Sequence, residues 1–120
     1  DWELATLGDP LADLGLFFIY WQDAGDETSE LTAGILPTVT TLPGFPKRRE
    51  LLDRYADRSG RDLSQIPWYV GFACFKLAVI VAGVAARGMA GAMIGDGFVE
   101  MAARISPLVN AGHQALSDGL

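Results

Sequence analysis

The run from Ile66 to Ala86 limits what this chain can fold into more than any other stretch. It is as long as a membrane span (about 20 residues), and Lys76 is its one charged side chain. Two structures can absorb such a run: a helix crossing a bilayer, or a central helix surrounded by others. A charge near the middle of a spanning helix costs about 3 kcal/mol on insertion scales. The flanks carry no strong cationic bias, and the neighbouring segments read as amphipathic helices. The expectation is a core helix from about Ile66 to Arg87, with no membrane partner. Lys76 then needs a carboxylate beside it or a route for its ammonium to water.

The rest of the chain is also patterned for helices. In Gly8-Asp9-Pro10-Leu11, Asp9 suits an N-cap and Pro10 suits N1, where a missing N–H costs nothing. Leu11, Leu14, Phe18 and Trp21 follow at helical spacing, so a buried helix is expected over about 10–21. Residues 22–30 read as an acidic loop, residues 31–35 are ambiguous, and Pro37, Pro43, Gly44 and Pro46 break the chain up to Lys47. A charge-laced helix is expected over 47–59, with Glu50–Arg54 and Asp57–Arg61 as i,i+4 pairs and Gly60 closing it in the left-handed conformation. Asp62 or Ser64 can cap the long apolar helix, whose first turn tolerates Pro67. After Gly88, Gly91, Gly95 and Gly97, Asp96 can cap a last helix over about 97–117. Phe98, Met101, Ile105, Leu108 and Leu116 would form its core face, and Pro107 would bend it. No βαβ alternation or repeat is present, so the expected class is mainly α, one domain over residues 1–120.

Composition removes several functions. The 120 residues carry a formal net charge of −6 and a pI near 4.5, which argues against a binder of nucleic-acid phosphates. Cys74 is the single cysteine and His113 the single histidine. They leave no disulfide framework, no all-cysteine metal cage and little for a zinc site or a catalytic triad. Cys74 reads as an inert core residue and His113 as a surface or interface residue. The glycine-rich run 88–97 lacks the Gly-Lys-Ser/Thr ending of a phosphate loop and follows no strand, so it reads as an inter-helix turn. Residues 1–45 hold eight acids (Asp1, Glu3, Asp9, Asp13, Asp23, Asp26, Glu27 and Glu30) and no Lys or Arg. An acidic edge of that kind is either solvated surface or a place for Mg²⁺. Residue 1 is Asp, the first Met is Met89, and no signal peptide precedes them. The chain is expected to be a piece of something longer.

The candidate metal ligands are Asp1 and, more weakly, Glu3. In extended backbone, alternate residues share a side, and Mg²⁺ takes one or two carboxylates together with nucleotide phosphates. An Asp-x-Glu alone is common and specifies little.

The longer run Asp1-Trp2-Glu3-Leu4-Ala5-Thr6-Leu7-Gly8-Asp9-Pro10-Leu11-Ala12-Asp13-Leu14-Gly15 resembles the metal-binding segment of the aminoglycoside phosphotransferase family. That family has a protein-kinase-like fold. Residues 54–63 and 75–80 are similar to a branch associated with acyl-CoA dehydrogenases. The resemblance implies that this chain is the helical C-terminal lobe of a kinase-like fold. It implies that Asp1 holds Mg²⁺ against ATP phosphates, while Asp9 and Asp13 organise the helix start. The family's catalytic His-Gly-Asp…Asn segment, its N-terminal lobe and its nucleotide-anchoring Lys have no counterpart among these residues.

The expected function is that of a C-terminal fragment of an ATP-dependent phosphotransferase, cytoplasmic, acting on a small hydroxylated acceptor. The intact parent would use Mg²⁺ and ATP. This chain alone would hold no catalytic residue, bind neither cofactor tightly and be inactive, and its natural partner would be the N-terminal portion of the same protein. The competing expectation is a non-enzymatic helical interaction module that self-associates through exposed apolar surface.

Overall fold

The structure, a computed structural model, describes residue 3, residues 5–25 and residues 39–119. Among these residues there are four α-helices and no strand: α1 (Pro10–Tyr20), α2 (Arg48–Ser59), α3 (Ile66–Met89) and α4 (Ile105–Asp118). Single 3-10 segments lie at Val39–Thr41 and Glu100–Arg104. The mainly α class expected from the sequence is the class observed.

The apolar run is the centre of the fold. α3 packs against both α1 and α4, and its buried face is Ile66, Val70, Gly71, Ala73, Cys74, Leu77, Ala78, Val81 and Ala85, a helical spacing throughout. Phe18 and Ile19 of α1, Leu52 of α2, and Leu108, Ala111 and Ala115 of α4 complete the same cluster. Phe18 and Leu108 are fully buried, each contributing about 2–3 kcal/mol by area. By length and composition α3 is able to cross a membrane, yet 44% of its apolar window is buried inside the protein. Lys76 lies on the exposed side, so its ammonium reaches water directly.

Much of α3's buried face is small, which lets the helix axes come close. A Cβ on Gly15 would stand 2.6 Å from the carbonyl carbon and oxygen of Tyr69, and one on Gly112 would stand 3.1 Å from Cys74 Cβ. The contacts are therefore backbone on backbone at α1–α3 and nearly so at α3–α4.

Several local expectations are met. Gly60 closes α2 at φ 65°, its N–H donating to Ala56 O at 2.8 Å, and Pro67 sits in the first turn of α3. Others are not. In α2 the ion pair formed is Arg49–Asp53 at 3.1 Å, while the Glu50 carboxylate turns back to accept from Lys47 N at 2.7 Å, the stronger option at a helix start. Asp62 does not cap α3: its two oxygens accept from the N–H and hydroxyl of Ser64 at 2.8 and 2.9 Å, and Gln65 takes the cap position with no side-chain bond.

The last helix departs most. The α-helix begins at Ile105 rather than 97, after an irregular stretch and the 3-10 segment, and Asp96 lies exposed in that stretch. Gly91, Gly95 and Gly97 have φ of 66°, 113° and 86°, which a right-handed helix cannot include. Pro107 falls in the first turn of α4, where it lacks no needed bond, so it marks the start of the helix. Met101, Ile105 and Leu108 face the core as expected, but Leu116 is 54% exposed and Ala111, Gly112 and Ala115 take the inner face.

Candidate functional site

Asp1, the main candidate ligand, and the acids Asp26, Glu27 and Glu30 lie outside the described residues. Glu3 is described and exposed. From Ala5 to Asp9 the backbone is irregular and exposed until α1 begins.

Asp9 sits at the N-cap of α1 with φ −75° and ψ 118°, and Pro10 opens the first turn. One carboxylate oxygen accepts from Leu11 N at 2.9 Å. The other accepts from the Tyr69 hydroxyl of α3 at 2.5 Å. The Tyr69 hydroxyl, then the Leu11 amide, hold the Asp9 carboxyl below its usual range, with the positive charge of Arg61 adding a smaller pull. The same bond pushes the Tyr69 phenol upward, since ionising it would set an anion beside Asp9. With both oxygens engaged, Asp9 organises the helix start and joins it to α3. Asp13, exposed in the first turn, adds negative charge where the helix dipole favours it.

Tyr69 is thus the residue that sequence reasoning passed over. Its hydroxyl ties down the cap while its backbone crowds Gly15. Beside it, the Trp68 ring packs edge-on against Tyr69 at 5.0 Å and near-parallel to Phe72 at 5.5 Å. The chain segment leading into Pro10 is therefore anchored at one point, with Glu3 upstream of it.

Asp23 is also engaged. It accepts from Arg48 N at 2.8 Å and so caps α2 from a distant part of the chain. Gln22 N donates to Thr40 Oγ1 at 2.9 Å, and that hydroxyl donates back to Gln22 O at 3.0 Å. The Trp21 indole donates to Pro46 O at 2.9 Å. The part of the acidic loop that is described serves the fold.

Among the described residues, no three or more of His, Cys, Asp and Glu gather as a metal cluster. Glu3, Asp9 and Asp13 do not converge. Cys74 is buried, which pushes its thiol up to about 11 and keeps it protonated. His113 is exposed beside a recess between α3 and α4. The glycine-rich run forms a turn closed by Phe98, whose Cβ would stand 2.7 Å from a Cβ on Gly88.

With this geometry in place, comparison with known proteins finds relatives across nearly the whole chain. It is similar to acyl-CoA dehydrogenase family member 11 of Rattus norvegicus, 31% identical over 124 residues, and to that of Mus musculus, 32% identical over 121 residues. The Homo sapiens protein of the same name is 28% identical over 118 residues. Each alignment covers 95% of this chain and 14% of the relative. The chain therefore spans about one-seventh of the length of these relatives. No family model matches it, and no solved structure matches it. The tie to acyl-CoA dehydrogenase family proteins expected from residues 54–63 and 75–80 is met. Their shared name does not speak of phosphoryl transfer.

Proposed function

We propose that this chain is the helical C-terminal part of a kinase-like, ATP-dependent phosphotransferase, and that without the rest of that protein it does not turn over. The observation that carries the reading is the joint between motif and helix. Asp1-Trp2-Glu3 is followed by Gly8-Asp9-Pro10, and Asp9-Pro10 is the capped start of α1, locked to α3 through Tyr69. A metal-bearing segment that must hold Mg²⁺ against nucleotide phosphates needs such a fixed point downstream. Asp1 and Glu3 supply carboxylate oxygens, the donor type that Mg²⁺ takes. The bound ion would neutralise charge on the phosphates during transfer.

The acceptor is a small hydroxylated compound. The relatives' name, acyl-CoA dehydrogenase family member, supports an acyl-CoA-linked hydroxyl compound as the class to try first. The dehydrogenase activity in that name is not carried over, because the alignment spans only 14% of the relative. The protein would act in the cytoplasm, with the N-terminal portion of the same polypeptide supplying the catalytic Asp and the nucleotide-anchoring Lys.

The test is Asp1→Ala in the longer polypeptide, assayed for Mg-ATP-dependent transfer to hydroxylated acyl-CoA compounds. Activity should fall by about a thousandfold, the scale of losing one fixed electrostatic stabiliser. Undiminished transfer by the variant would overturn the role of Asp1.

A further inference from the structure

One side of α3 is apolar and open. Trp68, Phe72, Phe75 and Val79 follow at helical spacing with Ile80 beside them, and all are 44–61% exposed. At the edge of this stripe, Phe75, Val109, His113 and Leu116 border a recess of about 220 Å³ floored by Gly71 and Gly112. Lys76, one turn from both Phe72 and Ile80, is the single charge on the stripe.

We propose that this face docks a second copy of the same chain, the two α3 helices running antiparallel across a two-fold axis near Phe72–Cys74. The size of the face fits that occupant. Side chains of this kind bury up to about 150–250 Å² per aromatic ring. Half of that over the stripe, with Val109 and Leu116, gives roughly 600–700 Å² of apolar surface, against about 800 Å² per partner in a standard interface. It also exceeds the largest patch that a typical monomer leaves open, about 300–600 Å².

Charge selects the arrangement. A parallel pair would set Lys76 against the partner's Lys76 inside an apolar interface, and so would an antiparallel pair centred at Lys76. Moving the axis toward Phe72 places each Lys76 beside the partner's Trp68 or the partner's Phe72. There the ammonium meets an aromatic face and the butyl stem covers apolar surface. Lys76 follows those rings by eight and four residues, and that offset makes the face complementary to itself. The recess beside Phe75 gives a branched side chain of the other copy somewhere to go. A foreign helix would have to bring its own aromatic ring or carboxylate to Lys76, and a bilayer would have to accept an ammonium in mid-stripe. The dimer stands independently of phosphoryl transfer.

The experiment is sedimentation velocity of the 120-residue chain from low to high micromolar concentration, with circular dichroism to confirm unchanged helix content. A reversible dimer is expected. Phe75→Ser should abolish it, and Lys76→Glu should weaken it by about tenfold or more, the scale of a desolvated cation–aromatic contact. Ile94→Ser, at a fully exposed site in the turn after α3, should leave it unchanged. A clean monomer at every concentration would overturn the proposal. So would a dimer that survives both α3 substitutions. A monomer that instead floats with neutral phosphatidylcholine vesicles would assign the face to a bilayer and equally overturn it.

Discussion

Gly15→Ala adds one methyl group to α1 where α1 and α3 touch through their backbones. The new Cβ would lie 2.6 Å from both the carbonyl carbon and the oxygen of Tyr69, and 2.8 Å from Tyr69 Cβ. No rotamer change relieves contact with a backbone, so α1 must retreat by about 1 Å, a gap that forfeits a quarter to a half of each contact along the interface. Overpacking of this kind costs about 3 kcal/mol at its upper end, and Ala returns about 1 kcal/mol of helix preference. The net is a loss of about 2 kcal/mol. In urea, with a slope of about 2 kcal/mol per molar, the unfolding midpoint followed by circular dichroism should fall by about 1 M. Gly83→Ala is the matched control, since its Cβ would meet only the flexible end of Arg87 at 3.5 Å. It should raise stability by about 1 kcal/mol. If Gly15→Ala proved as stable as the parent, or shifted in the same direction as Gly83→Ala, the close α1–α3 approach would be refuted.

Tyr69→Phe removes the main donor that depresses the Asp9 carboxyl. A carboxyl with a lowered folded pKa adds stability above its unfolded pKa and loses it as pH falls through the folded value. The parent should therefore resist acid to a lower pH than Tyr69→Phe, and the Asp9 pKa measured by NMR should rise in the variant; coincident acid-unfolding curves would refute the link. Cys74 should resist alkylation at pH 8 in the native protein and react readily in urea, because it is buried with a pKa near 11. Rapid native labelling would show that α3 and α4 do not cover it.

The parts of this fold legible in the sequence are those governed by backbone chemistry. Asp9-Pro10 could only start a helix and Gly60 could only end one, and both do. The start of α4 is not legible because helical spacing of Phe98, Met101 and Ile105 continues through residues 98–104, which form a turn and a 3-10 segment, a conformation that spacing alone does not separate from α-helix. Which face of α3 is buried was not legible either. The helix is apolar nearly all round: Gly71, Ala73, Cys74 and Ala78 turn inward and permit close approach, Ile66, Val70, Leu77 and Val81 fill the space around them, and Trp68, Phe72 and Phe75 lie outside. At the site, the Asp9 cap was readable from its neighbours in sequence. Its partner Tyr69 was not, since the two are sixty residues apart and meet only once α1 and α3 pack.

Calorimetric titration of Mg-ATP into the longer polypeptide and, separately, into this 120-residue chain decides whether the chain is part of a nucleotide site. Tight, Mg²⁺-dependent binding by the longer protein and none by the chain alone is the predicted result. Failure of the longer protein to bind, or tight binding by the chain alone, would contradict it.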